Sequence, residues 1–438
     1  MDGLTQHLAE VRAALEPLGG QGWLVGGGLR DLLLGRPVTD VDIAFDGDAR
    51  AASRALAKAH GAGCYELSPS FGSWRVHGGD LPFTIDLTPL QGKSIAEDIR
   101  RRDLTVNALA LPTAPSVDET PLDLVDGLRD LAAGRMRMVA QTAFARDPVR
   151  LLRLARQTAQ LGFSIDPATA DQARKDASSL WESAGERIFD EVVRMIATDH
   201  PVDALRVCDD IGALAVLCAD EAPPNAKVPS RVERAEALWD LLTDLDSVVP
   251  EHTGELRLAF DLPLADGLSR RDALVIASLW TGVAEGDGAV VAWCRRLRTS
   301  SRVREQLAAI ANGYLLRPAL GEEWTRARRY RFVTAVAPVS IDIALLVVSG
   351  ASNTEREAAL AWATAIVEMQ RFVDERASVR PLIAGDDLSR TLEHEPGPWL
   401  REALAHVREA QLIRGLATRD DAIALVRTFL RKVRTDPE

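Results

Sequence analysis

The sequence predicts an α+β fold, with an N-terminal α/β head followed by an elongated, all-α remainder. Three observations lead there. Short β-type runs (GWLVGG, DVDIAF, WRVHG, FTIDLTPL and LDLVD) are confined to the first 140 residues and alternate with helical stretches such as ARAASRALAKAH. Beyond residue 141 apolar positions recur with helical period, through PVRLLRLARQTAQLGF, RIFDEVVRMI, RVERAEALWDLLTDL, REQLAAIANGYLL, EREAALAWATAIVEMQRFV, WLREALAHVREAQLI and DDAIALVRTFLRKV. Loops with Pro, Gly or Asp separate these helices, as in CADEAPPNAKVPS at 218–230. At 438 residues, more than one core is expected.

Composition narrows the class. Hydrophobic residues make up 47% and charged residues 26%, as in a soluble globular protein. No run of eighteen apolar residues offers a membrane span. The start, MDGLTQHLAEVRAALEPL, reads as an acidic amphipathic helix and lacks the basic and apolar regions of a signal peptide, so a cytoplasmic location is expected. Cys64, Cys208, Cys218 and Cys294 show no CxxC spacing and read as buried thiols. The seven histidines form no HExxH motif and no His-Asp dipeptide. A net charge of −12 argues against nucleic-acid binding by bulk charge. Arginines nevertheless cluster at 100–102, at 295, 296, 298, 302 and 304, and at 326, 328, 329 and 331, and shared faces matter more than totals.

The stretch VGGGLRDLLLGRPVTDVDIAF, residues 25–45, carries the first chemistry. A strand that runs into Gly26, Gly27 and Gly28 before a helix from about Leu29 places free N–H groups at a helix N-terminus, an anion site that Arg30 can supplement. A dinucleotide fingerprint fails because Asp31 stands where its third glycine belongs, and no Gly-Lys-Ser/Thr completes a P-loop. A plain tight turn is the alternative. Asp40 and Asp42 are two apart in a β-type run, so both carboxylates share one face while Val41 and Ile43 face the core. Such a pair suits Mg²⁺, which takes oxygen ligands and keeps phosphates in its shell; solvated charges on a strand edge are the alternative. Asp86 in FTIDLTPL either completes a carboxylate triad or ends its strand in a turn. In EDIRRRDLTVNALAL, the arginines can hold phosphates, and Asp103 and Asn107 can bind ribose or orient those arginines.

The ordered series Gly-Gly…Arg-Asp…Asp-x-Asp…Arg-Arg-Asp-x-x-x-Asn-Ala resembles the class II tRNA nucleotidyltransferase and bacterial poly(A) polymerase family over residues 20–200. The stretch from PLIAGDDL to DDAIAL also looks like the family's tail. The resemblance implies a polymerase β-like nucleotidyltransferase head at 1–140, a nucleotide-recognising neck at 141–200, a helical body at 201–335 and a tRNA-binding helical tail at 336–438. It implies two Mg²⁺ ions on Asp40 and Asp42, with Asp86 a possible third ligand. Gly26, Gly27, Arg30 and Asp31 would contact the triphosphate, and Arg101, Arg102, Asp103 and Asn107 the ribose and phosphates. A hinge motif falls around Asp126, Gly127 and Arg135. In FARDPVRLLRLARQ, Asp147 and Arg150 stand three apart, on one face if the segment is a helix, where an acceptor beside a donor can read a base edge. In the family that pair selects CTP and then ATP. An intrahelical salt bridge is the alternative. Arg146 stands where many relatives carry Glu. Arg153 and Arg156 would support the site, and Glu186 and Arg187 would brace its helices without touching substrate.

The implied activity is template-independent addition of C and A nucleotides to the 3′ end of tRNA, with CTP and ATP as substrates and pyrophosphate as product. No Ser, Cys or His nucleophile is required, and nothing points to a membrane or a protein partner. One departure opens an alternative: residues 87–100, LTPLQGKSIAEDIR, are shorter than the flexible loop that the family associates with the switch from C to A. Its shortening accompanies enzymes that add only the two Cs. A poly(A) polymerase and a catalytically inactive RNA-binding scaffold are the remaining readings; the first usually carries basic extensions, and the second requires loss of Asp40 and Asp42. RNA contacts are expected from the arginine clusters and from Arg427, Arg431 and Arg434 of the last helix.

Overall fold

The computed structural model describes residues 10–69, 71–113, 120–218, 230–280, 287–317 and 319–435. The chain divides into two compact units, residues 1–221 and 222–438.

The first unit opens on a seven-stranded mixed sheet. Its strands are β1 Gly22–Val25, β2 Asp40–Phe45, β3 Gly63–Ser68, β4 Ser73–His77, β5 Thr84–Pro89, β6 Leu109–Pro112 and β7 Leu122–Asp123, in the order β3-β4-β5-β2-β1-β6-β7. Only β2 and β5 run parallel, with Asp40 opposite Thr84 and Asp42 opposite Asp86. Helices α1 Gly26–Leu33 and α2 Ala49–Ala59 are packed against the sheet. Val41, Ile43 and Phe45 meet Leu24, Leu29, Leu56, Ile85 and Leu87 in the main core. The alternate residue Ala44 faces the other way, into a smaller cluster with Trp23, Val25, Ile99, Ala108 and Ala110. Period-two alternation therefore leaves Asp40 and Asp42 on the face opposite the main core.

Two strands of this sheet were not expected. β3 is an edge strand whose residues are mostly exposed, so its sequence, GCYELS, lacks apolar alternation. β6, LALP, is a short and almost wholly buried run that periodicity cannot distinguish from a helix. The glycine helix begins at Gly26, not near Leu29. Of the expected N-terminal helix, residues 1–9 lie outside the described residues; Val11 and Leu15 of the remainder are buried in the main core.

The helices α3 Ile95–Arg101, α4 Gly127–Ala132, α5 Ala143–Arg146, α6 Arg150–Leu161, α7 Pro167–Asp176, α8 Gly185–Ile196, α9 Pro201–Asp210 and α10 Ala213–Leu217 complete this unit. At the expected hinge, Asp126 adopts a left-handed φ of 59°, and Gly127 packs so tightly that a Cβ would lie 2.3 Å from the Thr105 carbonyl oxygen. Arg135 is exposed on a two-residue strand paired with Ser164–Ile165.

The second unit is helical from Arg231–Thr243 to Arg419–Thr435, apart from one small hairpin, Pro263–Ala265 with Leu268–Ser269. Trp324, Phe332 and Trp362 pack edge to face within it. Among the described residues no single helix is long and apolar enough to cross a membrane.

Candidate active site

The β1–α1 junction and β2 build the acidic end of the site. Val25 pairs with Asp42, so Gly26 begins α1 directly beside that carboxylate. Gly26 has φ +69°, and a Cβ on it would lie 2.7 Å from Asp42 Oδ2; one on Gly28 would lie 2.6 Å from the Asp40 carbonyl oxygen. Glycines at 26 and 28 let the helix seat on β2. Gly27 meets only the Arg30 guanidinium, at 3.4 Å, and is the one glycine of the three that stays partly exposed.

Asp40, Asp42 and Asp86 share one sheet face, yet their surroundings differ. Both Asp86 oxygens accept from Arg75, Nε at 2.7 Å and Nη2 at 2.6 Å. The expected third metal ligand thus already carries a counter-charge. Asp40 is exposed and accepts from the Thr39 and Thr84 hydroxyls. Asp42 has no ion-pair partner or hydrogen-bond donor among the described residues. Burial and the neighbouring Asp86 carboxylate push its carboxyl up to about 6, against the weaker pull of Arg102 and Arg153. A crowded carboxylate with no donor, beside a second one facing solvent, suits a hard divalent cation whose remaining positions are filled by water and phosphate oxygens. Among the described residues no group of three or more His, Cys, Asp or Glu side chains is placed to hold a metal.

Arg30 and Asp31, expected at the triphosphate, are bonded to each other and to neighbouring side chains. Arg30 is buried, grips Asp31 through Nε and Nη2 at 2.9 Å each, and donates from Nη1 to Asn107 Oδ1 at 2.9 Å. Asn107 donates to Gln157 Oε1 at 2.8 Å and to Asp103 Oδ1 at 3.3 Å. Asp103 Oδ2 accepts from Arg153 Nε at 2.9 Å. Burial would raise the Asp103 carboxyl, but Arg153, Arg150 and the Leu104 N–H overcome it and hold that group well below the usual carboxylate range. This chain of contacts locks α1 and the RRD segment to α6. Gln157 completes it and was not anticipated; its only sequence signal is a polar residue at a core-facing position of α6. Arg102 pairs with Asp98 at 2.8 Å, whereas the Arg101 side chain is exposed.

Asp147 and Arg150 do meet, but not on one helix. Asp147 is extended, with φ −153°, and lies between α5 and α6, because the following Pro148 disfavours helical geometry at that residue. Arg150 starts α6 and reaches back to within 3.8 Å of Asp147 Oδ2. Its other nitrogens donate to the carbonyls of Arg101, Arg102 and Ala143. Asp147 Oδ2 accepts from Arg187 at 2.8 Å, while its Oδ1 is buried without any donor. Arg187 therefore lines the cleft as well as tying α8 to Asp147. A second tie is Glu191, buried and paired with Arg156 between α6 and α8. Glu186 is exposed on the first turn of α8, and Arg146 is exposed at the end of α5, off the face of Arg150 and Arg153. A cleft of about 340 Å³ brings Arg102, Asp103, Asp147, Arg150, Arg153 and Arg187 together.

The arginine clusters of the second unit divide. Arg326 stacks over Phe372, Arg328 pairs with Glu322, and Arg331 pairs with Glu409, so this cluster is largely engaged within its own unit. Arg295 and Arg302 are exposed. Arg427 and Arg431 line a groove with His394 and Trp399; the Arg434 side chain lies outside the described residues.

The chain's matches to known proteins agree with this geometry. Residues 22–137 match the poly A polymerase head domain, and residues 162–220 match the probable RNA and SrmB-binding site of polymerase A. The CC-adding tRNA nucleotidyltransferase of Geobacter sulfurreducens is 30% identical over 99% of this chain and 97% of its own length. The A-adding tRNA nucleotidyltransferase of Deinococcus radiodurans is 26% identical over 95% of this chain and 98% of its own. The fold is similar to that of a CCA-adding enzyme solved with ATP, at a TM-score of 0.72 and 18% identity, covering 98% of this chain and 96% of the other. The full-length likeness at 30% identity, the matched head domain and the carboxylate-bearing sheet together make this chain a member of the class II tRNA nucleotidyltransferase family, and an enzyme.

Proposed function

We propose that this enzyme adds cytidine nucleotides to the 3′ end of tRNA from CTP, with Mg²⁺, and stops before adenosine. That takes the alternative reading of the sequence over full CCA addition. The observation that carries it is the segment after Asp86. β5 runs on to Pro89 and α3 begins at Ile95, so only five residues, 90–94, lie between them. Those residues are tied down: the Gln91 N–H donates to Asp98 Oδ2 at 3.0 Å and the Lys93 N–H to Glu97 Oε2 at 3.1 Å, while Ser94 caps α3. The family's switch to A addition is associated with a longer, flexible loop at this place. The Geobacter relative, similar over nearly the whole chain, carries the CC-adding name.

In this reading the tRNA 3′-hydroxyl attacks the α-phosphorus of CTP and pyrophosphate leaves. Bound Mg²⁺ would supply acidification of the hydroxyl and neutralisation of the departing phosphates. Asp40 and Asp42 would hold the ions. Gly27, at the N-terminus of α1, offers open backbone to the triphosphate. Arg101, which is exposed, would reach the same phosphates, and the Arg30–Asp31–Asn107 clamp would position α1. Asp147 and Arg150 present an acceptor and a cation to the edge of the base.

The test uses three tRNA transcripts, ending at the discriminator base, at C and at CC, with labelled CTP or ATP supplied separately. CTP is expected to enter the first two, and ATP none. ATP incorporation on the CC-ended transcript restores the full CCA reading. ATP incorporation on that transcript with no CTP incorporation anywhere makes this an A-adding enzyme.

A further inference from the structure

The cleft has one wall that the groups described so far leave unexplained. Phe71 lines it together with Arg102, Asp103 and Asp147, yet is 45% exposed. A phenyl ring left in water forgoes the burial that aromatic side chains gain in a core. The backbone of Phe71 is also tied down. Its N–H donates to the Ser68 carbonyl at 3.3 Å, in the turn between β3 and β4. The next residue, Gly72, has φ +65° and packs on Pro89, and Ser73 Oγ bonds Thr88 Oγ1 at 2.8 Å, so the chain just after Phe71 is fastened to the end of β5. The cation nearest the ring is Arg187, whose guanidinium carbon stands 6.0 Å from its centroid and whose Nη2 donates to Asp147 Oδ2. The other oxygen of Asp147, a residue that lines the same cleft, is buried and unpartnered.

An aromatic side chain lining a cleft beside an unpaired acceptor is the arrangement that binds a heteroaromatic ring, with its face stacked and its edge read by hydrogen bonds. We infer that Phe71 is the stacking wall for the base of the incoming nucleotide, placing that base so that Asp147 and Arg150 meet its edge. This rests on the transferase reading above. The arginines of the same cleft, Arg102, Arg150 and Arg153, place the aromatic wall within reach of a nucleotide whose phosphates lie toward β2.

The experiment is equilibrium binding to the full chain with Mg²⁺ and without tRNA. The probes are CTP and inorganic tripolyphosphate, which has no base. The proteins are wild type, Phe71→Ala, Phe71→Leu and Phe71→Tyr. Stacking predicts a rise in CTP Kd of about tenfold for Phe71→Ala, a smaller rise for Phe71→Leu and recovery in Phe71→Tyr. Tripolyphosphate binding should be the same in all four, and the CTP KM should follow the CTP Kd. The inference is overturned if Phe71→Ala binds CTP like wild type. It is also overturned if CTP and tripolyphosphate weaken alike, which marks a distorted cleft, or if only the KM for tRNA rises, which assigns the ring to the primer. A wild type that binds tripolyphosphate but neither CTP nor ATP removes the transferase reading, and this inference with it.

Discussion

Asp42 and Asp86 lie directly opposite each other on parallel strands β2 and β5, and only Asp86 has a counter-charge. Arg75 satisfies both Asp86 oxygens, which leaves the Asp42 carboxyl beside a paired neighbour with no donor of its own. The consequence can be measured without activity. The Asp42 carboxyl stands at about 6 in the fold against an ordinary value of 3.8. Between those values the folded chain keeps a proton that the unfolded chain has released. Stability therefore falls as pH rises through that window, and above it the fold carries a penalty of at most about 3 kcal/mol. Asp42→Asn should raise the thermal midpoint of metal-free protein at pH 8 and leave it unchanged at pH 4. The same variant should lose transfer by about a thousandfold or more, and Mg²⁺ should raise the midpoint of wild type only. Thermal scans at the two pH values, with and without Mg²⁺, check all of this.

Arg75→Met removes the cation and keeps most of the side-chain volume. It leaves Asp86, only 13% exposed, unpaired beside Asp42. Breaking such a pair from one side costs about 3 kcal/mol. The loss should be largest at pH 8 and shrink at pH 5, where the neighbouring Asp42 carboxyl is protonated. Urea unfolding at both pH values is the measurement.

The three consecutive glycines should respond differently to alanine. At Gly26 a methyl must displace the Asp42 carboxylate and take up a left-handed backbone, so Gly26→Ala should lower kcat about a hundredfold. At Gly28 the obstacle is backbone, the Asp40 carbonyl, so Gly28→Ala should cost about 1–3 kcal/mol of stability. Gly27→Ala meets only the Arg30 guanidinium and should keep the melting temperature while weakening CTP binding. Thermal midpoints beside steady-state kinetics separate the three outcomes.

The sequence made the β-run of Asp40 and Asp42, the helical remainder and the order of the motifs legible, because period and spacing carry them. Partner choice was not legible. Arg30 looked like a phosphate ligand, and nothing in its neighbourhood reveals that Asn107 and Gln157 claim it across 77 and 127 residues. Arg187 looked like a brace only, for the same reason: its bond to Asp147 spans 40 residues. The helical face assigned to Asp147 and Arg150 failed on a local rule that was readable, the proline after Asp147. Phe71 sits in a short turn, where no periodicity marks an aromatic as functional.

The last prediction concerns base choice. Asp147 Oδ2 is held by Arg187, and Oδ1 is buried with nothing to accept from, an arrangement that costs about 1–3 kcal/mol until a donor arrives. Cytosine brings such a donor in its 4-amino group, whereas uracil presents an oxygen at that position and would leave two acceptors facing each other. A carboxylate can only accept, but a carboxamide can turn its NH₂ toward that oxygen. Asp147→Asn should therefore reduce the ratio of kcat/KM for CTP over UTP at least about tenfold, mainly through better use of UTP. Arg187→Ala should lower kcat/KM for CTP while leaving most of that ratio, since Asp147 still lines the cleft. Equal losses for both nucleotides in Asp147→Asn would mean that the residue holds α6 and α8 in place and does not read the base.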